Sequence, residues 1–128
     1  MTSRVRRIDV DDPDVDGDYS HRLLYRGEPF TGEAEEYLAG RRVSVTSYTE
    51  GLKDGPYRHW YPSGALQAEG VMRSGFLAGE ARRWHENGVL ARRLLHSEDG
   101  RIALAGCEWD ESGAPTRTWE RPDTKENE

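Results

Sequence analysis

The sequence predicts an all-β repeat protein, in which stacked β-hairpins form a single twisted antiparallel sheet. Three observations support this prediction. Glycines recur at nearly constant spacing, aromatic-rich runs stand at the same place in each interval, and a short turn motif ends each run. A fixed period of roughly 20–50 residues is typical of repeat architectures, in which each unit buries its apolar side chains against its neighbours.

Three interleaved glycine series set the period of the repeat. Glycine at such short intervals would cost a helix about 1 kcal/mol at each position, so helices are a poor alternative. The first series is Gly27, Gly51, Gly75 and Gly100, the second is Gly40, Gly64, Gly88 and Gly113, and the third is Gly32, Gly55 and Gly79, with Gly106 as a looser member.

Each interval has the order strand, tight turn, strand. The first strands are EAEEYLA, PYRHWYPS, EARRWHEN and CEWDES, and the second are RRVSVTSY, ALQAEGVM, VLARRLLH and APTRTW. The second strands alternate partly between apolar and polar residues, as half-buried strands do. The turns end in glycine, which adopts positive φ without a Cβ clash. These turns are LAG at 38–40, PSG at 62–64, ENG at 86–88 and ESG at 111–113.

The repeat divides the chain into an acidic lead-in (1–16), a repeat domain (17–119) and a charged tail (120–128) that we expect to be disordered. Residues 18–26 are predicted to form a strand, so that 17–26 would be the second half of an earlier unit. Complete units follow at 27–50, 51–74 and 75–99. The segment 100–119 is a degenerate cap, because its entry turn is longer and Pro115 weakens its last strand.

Composition and charge exclude several functional classes. The formal net charge of −6 argues against general binding of nucleic acid or an anionic membrane, and is compatible with a basic protein partner. The chain lacks an apolar signal sequence and an 18-residue apolar run, so we predict a cytoplasmic protein. Cys107 is the only cysteine, and His21, His59, His85 and His96 lack zinc-type spacing. We therefore expect no cofactor, no metal and no enzymatic activity.

The acidic run at 9–18 permits one metal-binding alternative. Asp12, Asp14, Asp16 and Gly17 match the opening of a calcium loop, whose alternate carboxylates supply hard oxygen ligands. Leu23, however, stands at the twelfth place, where a bidentate Glu belongs. The competing interpretation is a solvated acidic turn.

The pattern of GxxxG, an aromatic run, N/S-G and a mixed strand resembles the MORN repeat variant family over about 27–119. Two units carry the resemblance best, through Gly51, Gly55, Trp60, Tyr61, Gly64 and Gly75, and through Gly75, Gly79, Trp84, Asn87, Gly88 and Leu90. The resemblance implies a solenoid-like meander of hairpins. Bacterial proteins of this kind include YwqK-type antitoxins, and related repeats serve as protein-interaction platforms, with a lipid-binding role also proposed.

An aromatic ladder is the main candidate site. Tyr37, Trp60, Trp84 and Trp109 recur at intervals of 23, 24 and 25 residues, so we expect them to share one face, with Tyr61 and His85 on the opposite face. The ladder could be the stacking core, or a partly exposed strip that anchors a partner. Specificity would then lie in the residues that do not recur, Tyr57 and His59.

We therefore predict a non-enzymatic protein-binding module, plausibly an antitoxin or immunity protein that occludes a basic toxin. Glu28, Glu33, Glu35 and Glu36 would form the acidic patch that complements this partner. A general scaffolding repeat is the first alternative. Lipid-surface binding through Arg82, Arg83, Arg92 and Arg93 is the second. Open sheet edges would also permit a homodimer.

Overall fold

A computed structural model describes residues 6–122, which form strands and turns without a helix. No helix in this range could therefore span a membrane. The strands are β1 (Arg7–Asp9), β2 (Val15–Gly17), β3 (Leu23–Tyr25), β4 (Glu28–Pro29), β5 (Gly32–Leu38), β6 (Arg41–Thr49), β7 (Leu52–Trp60), β8 (Leu66–Arg73), β9 (Phe76–Trp84), β10 (Leu90–His96), β11 (Ala103–Trp109) and β12 (Pro115–Glu120).

The prediction of an all-β fold of consecutive hairpins is confirmed. The main sheet has nine strands in the order β1-β5-β6-β7-β8-β9-β10-β11-β12, and from β5 onward each strand pairs antiparallel with the next. The structure differs from a single antiparallel sheet in two ways. Strand β1 pairs parallel to β5, and β2, β3 and β4 form a separate small sheet.

The N-terminal region is therefore not a half-unit of the repeat. Residues 18–22 lie outside any strand, and β3 is only three residues long, with partners β2 and β4 in the small sheet. The acidic lead-in is also part of the fold in its described residues, because Ile8 of β1 is buried. Residues 1–5 lie outside the described range, as does the predicted disordered tail from 123 onward, while Glu120 is still part of β12.

The glycine series mark turns as predicted. All members of the first two series have positive φ. Three of the two-residue loops between paired strands are Ala39–Gly40, Glu50–Gly51 and Ser74–Gly75, and both residues of each have positive φ. Type I′ hairpin turns require this combination, because their twist matches that of the flanking strands. Gly106 is different, since its φ is not positive.

A second repeated feature is a bulge near the end of each hairpin. The register shifts between Glu36 and Tyr37 and at the three equivalent positions of the later hairpins. In every case the extra residue lies on the second strand of the hairpin. These residues are Val43, Gln67, Ala91 and Thr116. At this end of each hairpin the first strand alternates regularly, so the directions of its last side chains follow from the register. The first strands have register shifts of their own nearer their starts, at Gly55, Gly79 and Leu104.

The register defines two faces of the main sheet. We define the inner face as the face that carries two particular rows of directly opposed residues. One row passes through His59, and the other passes through Tyr57, two residues earlier on the same strand. The first row is Glu36, Ser44, His59, Ala68, Arg83, Arg92, Glu108 and Arg117. The outer face carries the intervening row, which is Glu35, Val45, Arg58, Glu69, Arg82, Arg93, Cys107 and Thr118.

The hydrophobic core lies on the inner face at its N-terminal end, where the small sheet covers it. Its buried members are Ile8, Phe30 and Ala34, and Phe30 is the largest fully buried side chain of the described residues. Tyr48 and Tyr25 pack against this cluster from the main and small sheets. The small sheet therefore covers the first strands of the inner face and overhangs the ends of β7, β8 and β9, and the rest of the hairpins form a single layer.

Candidate binding faces

The aromatic ladder forms a row on the outer face, at the end of the sheet where the hairpins turn. Each ring directly follows a residue of the inner row, such as His59 before Trp60, and strand alternation turns it to the other side. Trp60, Trp84 and Trp109 are half-buried and Tyr37 is 42% exposed. None of the four belongs to the buried core cluster. We call these four residues the aromatic row.

An ion pair lies beside Trp60. The guanidinium of Arg42 lies 5.0 Å from the centre of the Trp60 ring, within the range of a cation–π contact. The same guanidinium donates a hydrogen bond of 2.8 Å to Glu35. Because Glu35 belongs to the outer row, this contact supports the placement of Trp60 on the outer face.

Tyr61 and His85 connect consecutive hairpins. The Tyr61 hydroxyl donates a hydrogen bond of 2.7 Å to the backbone carbonyl of Trp84, and the His85 Nε2 lies 2.8 Å from the carbonyl of Trp109. Asn87 donates in the same way to the carbonyl of Glu111, at 2.9 Å. These bonds repeat with the period of the units, so the two side chains have an architectural role.

Tyr57 and His59 lie together on the inner face, away from the aromatic row. Their ring centres are 5.4 Å apart. Burial lowers the pKa of His59, and the charge of Lys53 adds to this effect while Glu36 opposes it. Burial also raises the pKa of Tyr57, against the opposing charge of Arg92. The predicted site residues are thus divided between two faces.

The predicted acidic patch is also divided. Glu35 lies on the outer face with Arg42, whereas Glu36 is exposed on the inner face, where Ser44 contacts it at 3.5 Å. Glu33 is paired with Arg7 at 2.8 Å. Adjacent residues of a strand point to opposite faces, and two of these carboxylates already have cationic partners. The four glutamates therefore do not form one uncompensated surface.

The four arginines considered for lipid binding are divided in the same way. Arg82 and Arg93 lie on the outer face and both contact Glu80, Arg93 at 3.1 Å. The hydrogen bond from Arg93, supported by one from Arg82, lowers the pKa of Glu80. Arg83 and Arg92 lie directly opposite each other on the inner face. The four arginines therefore do not form one continuous basic patch.

The aspartates of the calcium alternative are engaged in local turns. Asp12 and Asp16 accept hydrogen bonds of 2.8 Å from the backbone amides of Asp14 and Gly17, respectively. Asp14 pairs with Arg26 at 3.1 Å. Between residues 6 and 122, no group of three or more His, Cys, Asp or Glu side chains could hold a metal ion. The run thus forms the turns of the small sheet.

Two features of the inner face were not predicted. Tyr57 packs across Gly70 and Trp119 packs across Gly106, so that each ring lies over the glycine of the adjacent strand. The signal was available in the sequence, because a glycine inside a strand often marks a close approach of another group. The strand register, which pairs each ring with its glycine, could not be obtained from the sequence.

A groove between the small sheet and the inner face was also not predicted. Its volume is about 670 Å³. Tyr48, Leu52 and Met72 contribute apolar surface, and Asp16 and Lys53 are among its charged lining residues. It exists because the small sheet overhangs the main sheet, which the sequence pattern did not indicate.

Comparison with known proteins gives no identification. No family model, curated protein or solved structure matches this chain. The likeness to MORN repeat variants thus remains a prediction from the sequence.

Proposed function

We propose that this chain is a non-enzymatic protein-binding module that docks a partner on its outer face. The observation that supports this proposal best is the aromatic row. Its four rings recur along one face, outside the buried core of the described residues, and the first of them is 42% exposed. Large amphipathic rings with few rotatable bonds are the side chains that most often anchor protein interfaces.

The single-layer form of the sheet suits this role. Other apolar side chains are also exposed on the outer face, with Val71 at 41% and Leu95 at 39%. Ion pairs such as Arg58–Glu69, at 3.6 Å, lie between the aromatic row and these apolar side chains. They would supply polar contacts around an apolar centre. A partner that covers this face would bury the aromatic row together with these residues.

The test begins with the partner that co-purifies with the tagged chain and then asks which face that partner covers. Tyr37→Ala and Trp84→Ala should weaken co-purification by about tenfold or more, as the loss of an anchor residue does. Ala68→Arg places bulk on the inner face and should leave binding unchanged. Circular dichroism and thermal melting verify that each variant is folded.

Two results would refute docking on the outer face. The first is a folded Tyr37→Ala and Trp84→Ala pair that binds the partner as well as the parent chain. The second is loss of binding in the inner-face variant alone. A monodisperse chain with no co-eluting protein would refute partner binding itself.

The finer proposal is that the partner is a toxin, which the docked sheet occludes. This rests on the resemblance to YwqK-type antitoxins. The product of the neighbouring gene, expressed alone, should arrest growth, and co-expression of this chain should restore it. Co-expression of Tyr37→Ala should restore growth less well. No growth arrest, or no rescue by the parent chain, would remove the toxin proposal and leave the general scaffolding alternative. An unimpaired rescue by Tyr37→Ala would instead contradict docking of the toxin through Tyr37.

A further inference from the structure

Arg83 and Arg92 form an unusual pair on the inner face. They are directly opposed on β9 and β10, and both are exposed. Like charges in directly opposed positions destabilise a sheet. Within residues 6–122 neither has a carboxylate partner, whereas the adjacent Arg82 and Arg93 share Glu80. The sheet therefore keeps two positive charges together on one face although it neutralises their neighbours on the other.

The pair borders a shallow cavity of about 260 Å³ at the hairpin end of the inner face. Two of its other lining groups, Tyr61 and His85, are already bonded to backbone carbonyls. Its one carboxylate, Glu108, has a cationic partner in Arg117 at 3.6 Å. The remaining lining residues are Trp84, Ala91 and Trp109. The two guanidinium groups are thus the lining charges that have no partner within the described chain.

From this arrangement we infer that Arg83 and Arg92 bind a carboxylate side chain of a protein segment. A guanidinium donates two parallel hydrogen bonds to a carboxylate, and two of them around one oxyanion would remove the repulsion between them. The cavity has room for a single side chain and its immediate neighbours. Trp84 and Trp109 of the aromatic row also line this cavity. The inference nevertheless rests on the charges of Arg83 and Arg92 on the inner face and does not depend on the function proposed above.

The surroundings favour a protein segment over an anionic membrane. Glu108 lies directly opposite Arg92, and Glu36 stands in the same row. A flat anionic surface would be repelled by these carboxylates and by the net charge of −6. One acidic residue within a segment can contact the arginine pair and avoid Glu108.

The test uses the full chain and the blocked peptide Ac-Gly-Leu-Glu-Leu-Gly-amide. Its control is the same peptide with Gln in place of Glu. The Nε–Hε resonances of Arg83 and Arg92 should shift saturably with the Glu peptide, and the Gln peptide should bind about tenfold or more weakly. The double variant Arg83→Gln/Arg92→Gln should abolish this preference. The matched variant Arg82→Gln/Arg93→Gln, on the other face, should retain it.

Equal affinities for the two peptides, or no saturable shift, would overturn the inference. So would a preference for Glu that survives Arg83→Gln/Arg92→Gln. Vesicles of phosphatidylcholine and phosphatidylserine provide the membrane arm. If they bind through Arg83 and Arg92 and the Glu peptide does not, the pair recognises lipid and the inference is wrong. The Tyr37→Ala experiment reports separately on the outer face.

Discussion

At the scale of single residues, the glycines of this protein have two different physical roles. Those in the turns supply positive φ, and Gly75 has no atom within 4 Å of where a Cβ would lie. Gly70 and Gly106 do not have positive φ, but an aromatic ring from an adjacent strand packs over each of them. A substitution at Gly75 would therefore act through backbone conformation, and one at Gly70 through packing.

Gly70→Ala should destabilise the protein by about 1–3 kcal/mol, as overpacking does. A Cβ on Gly70 would lie 2.7 Å from the Tyr57 hydroxyl oxygen. In a Tyr57→Ala background this clash is absent, and alanine in a strand should then be neutral or stabilising relative to glycine. Urea unfolding of the four chains of this double-mutant cycle measures the difference. The same cost in both backgrounds would contradict the packing explanation.

His59 should make stability fall as the pH is lowered through about 6.5, its ordinary pKa. Because its pKa is lowered in the folded protein, the unfolded chain takes up the proton first, so acidification favours unfolding. Melting temperatures between pH 7.5 and 5.5 should therefore fall more steeply in the parent chain than in His59→Gln. Parallel pH profiles would show that His59 does not contribute.

At the scale of elements, the hairpin turns carry strain in their first residues. Glu50 and Ser74 have φ of 50° and 49°, a region that only glycine, asparagine and aspartate visit routinely. These residues stand there because the two-residue turn requires positive φ at both positions. The turns thus combine one well-suited residue, glycine, with one strained residue.

Ser74→Asn should accordingly stabilise the fold, by about 0.5–1 kcal/mol. The hydrogen bond that Ser74 donates to Asp54 comes from its backbone amide and should persist. Ser20→Asn is the matched control, because Ser20 is an exposed turn residue without positive φ. Thermal melting compares the two. A gain at Ser20 as large as that at Ser74 would show that backbone strain is not the cause.

The sequence was sufficient to predict the hairpins, but it was insufficient to predict which side chains meet on each face of the sheet. The turn at Gly88 was predictable because its glycine and its spacing reflect a local backbone requirement. The pairing of β1 was not, because a three-residue strand with one apolar residue, Ile8, has no periodicity to detect. Strand alternation places Arg82 and Arg83 on opposite faces of the sheet. Which carboxylate each arginine meets depends on register, and the repeated bulges shift that register.

At the scale of the whole molecule, hydrogen bonds between units replace much of the missing core. From β7 onward the only buried hydrophobic residues of the described chain are Ala78 and Ala81. The units are instead joined by backbone ladders and by the bonds from Tyr61, His85 and Asn87 to the next hairpin. We expect each such bond to matter for the array, because a repeat is stabilised mainly by its neighbours.

Tyr61→Phe should cost about 0.5–1.5 kcal/mol, since it leaves the partly buried carbonyl of Trp84 without its donor. Tyr19→Phe removes the same hydroxyl from a fully exposed ring and should have no measurable effect. Chemical denaturation of both variants provides the comparison. Equal stability of the two would show that the hydroxyl bond does not hold the units together.

The parallel strand at the start of the chain has a consequence for the order of folding. The hairpins join strands that are close in sequence, but Arg7 must meet Glu33 across 26 residues. Closing such a loop is slower than forming a hairpin, and β1 has no place to pair until β5 exists. During refolding, the amide of Val10, which bonds to Glu35, should gain protection from hydrogen exchange later than the amides of β7 to β10. A nascent chain would thus form its first hairpins while its own N-terminal strand, although synthesised first, is still unpaired.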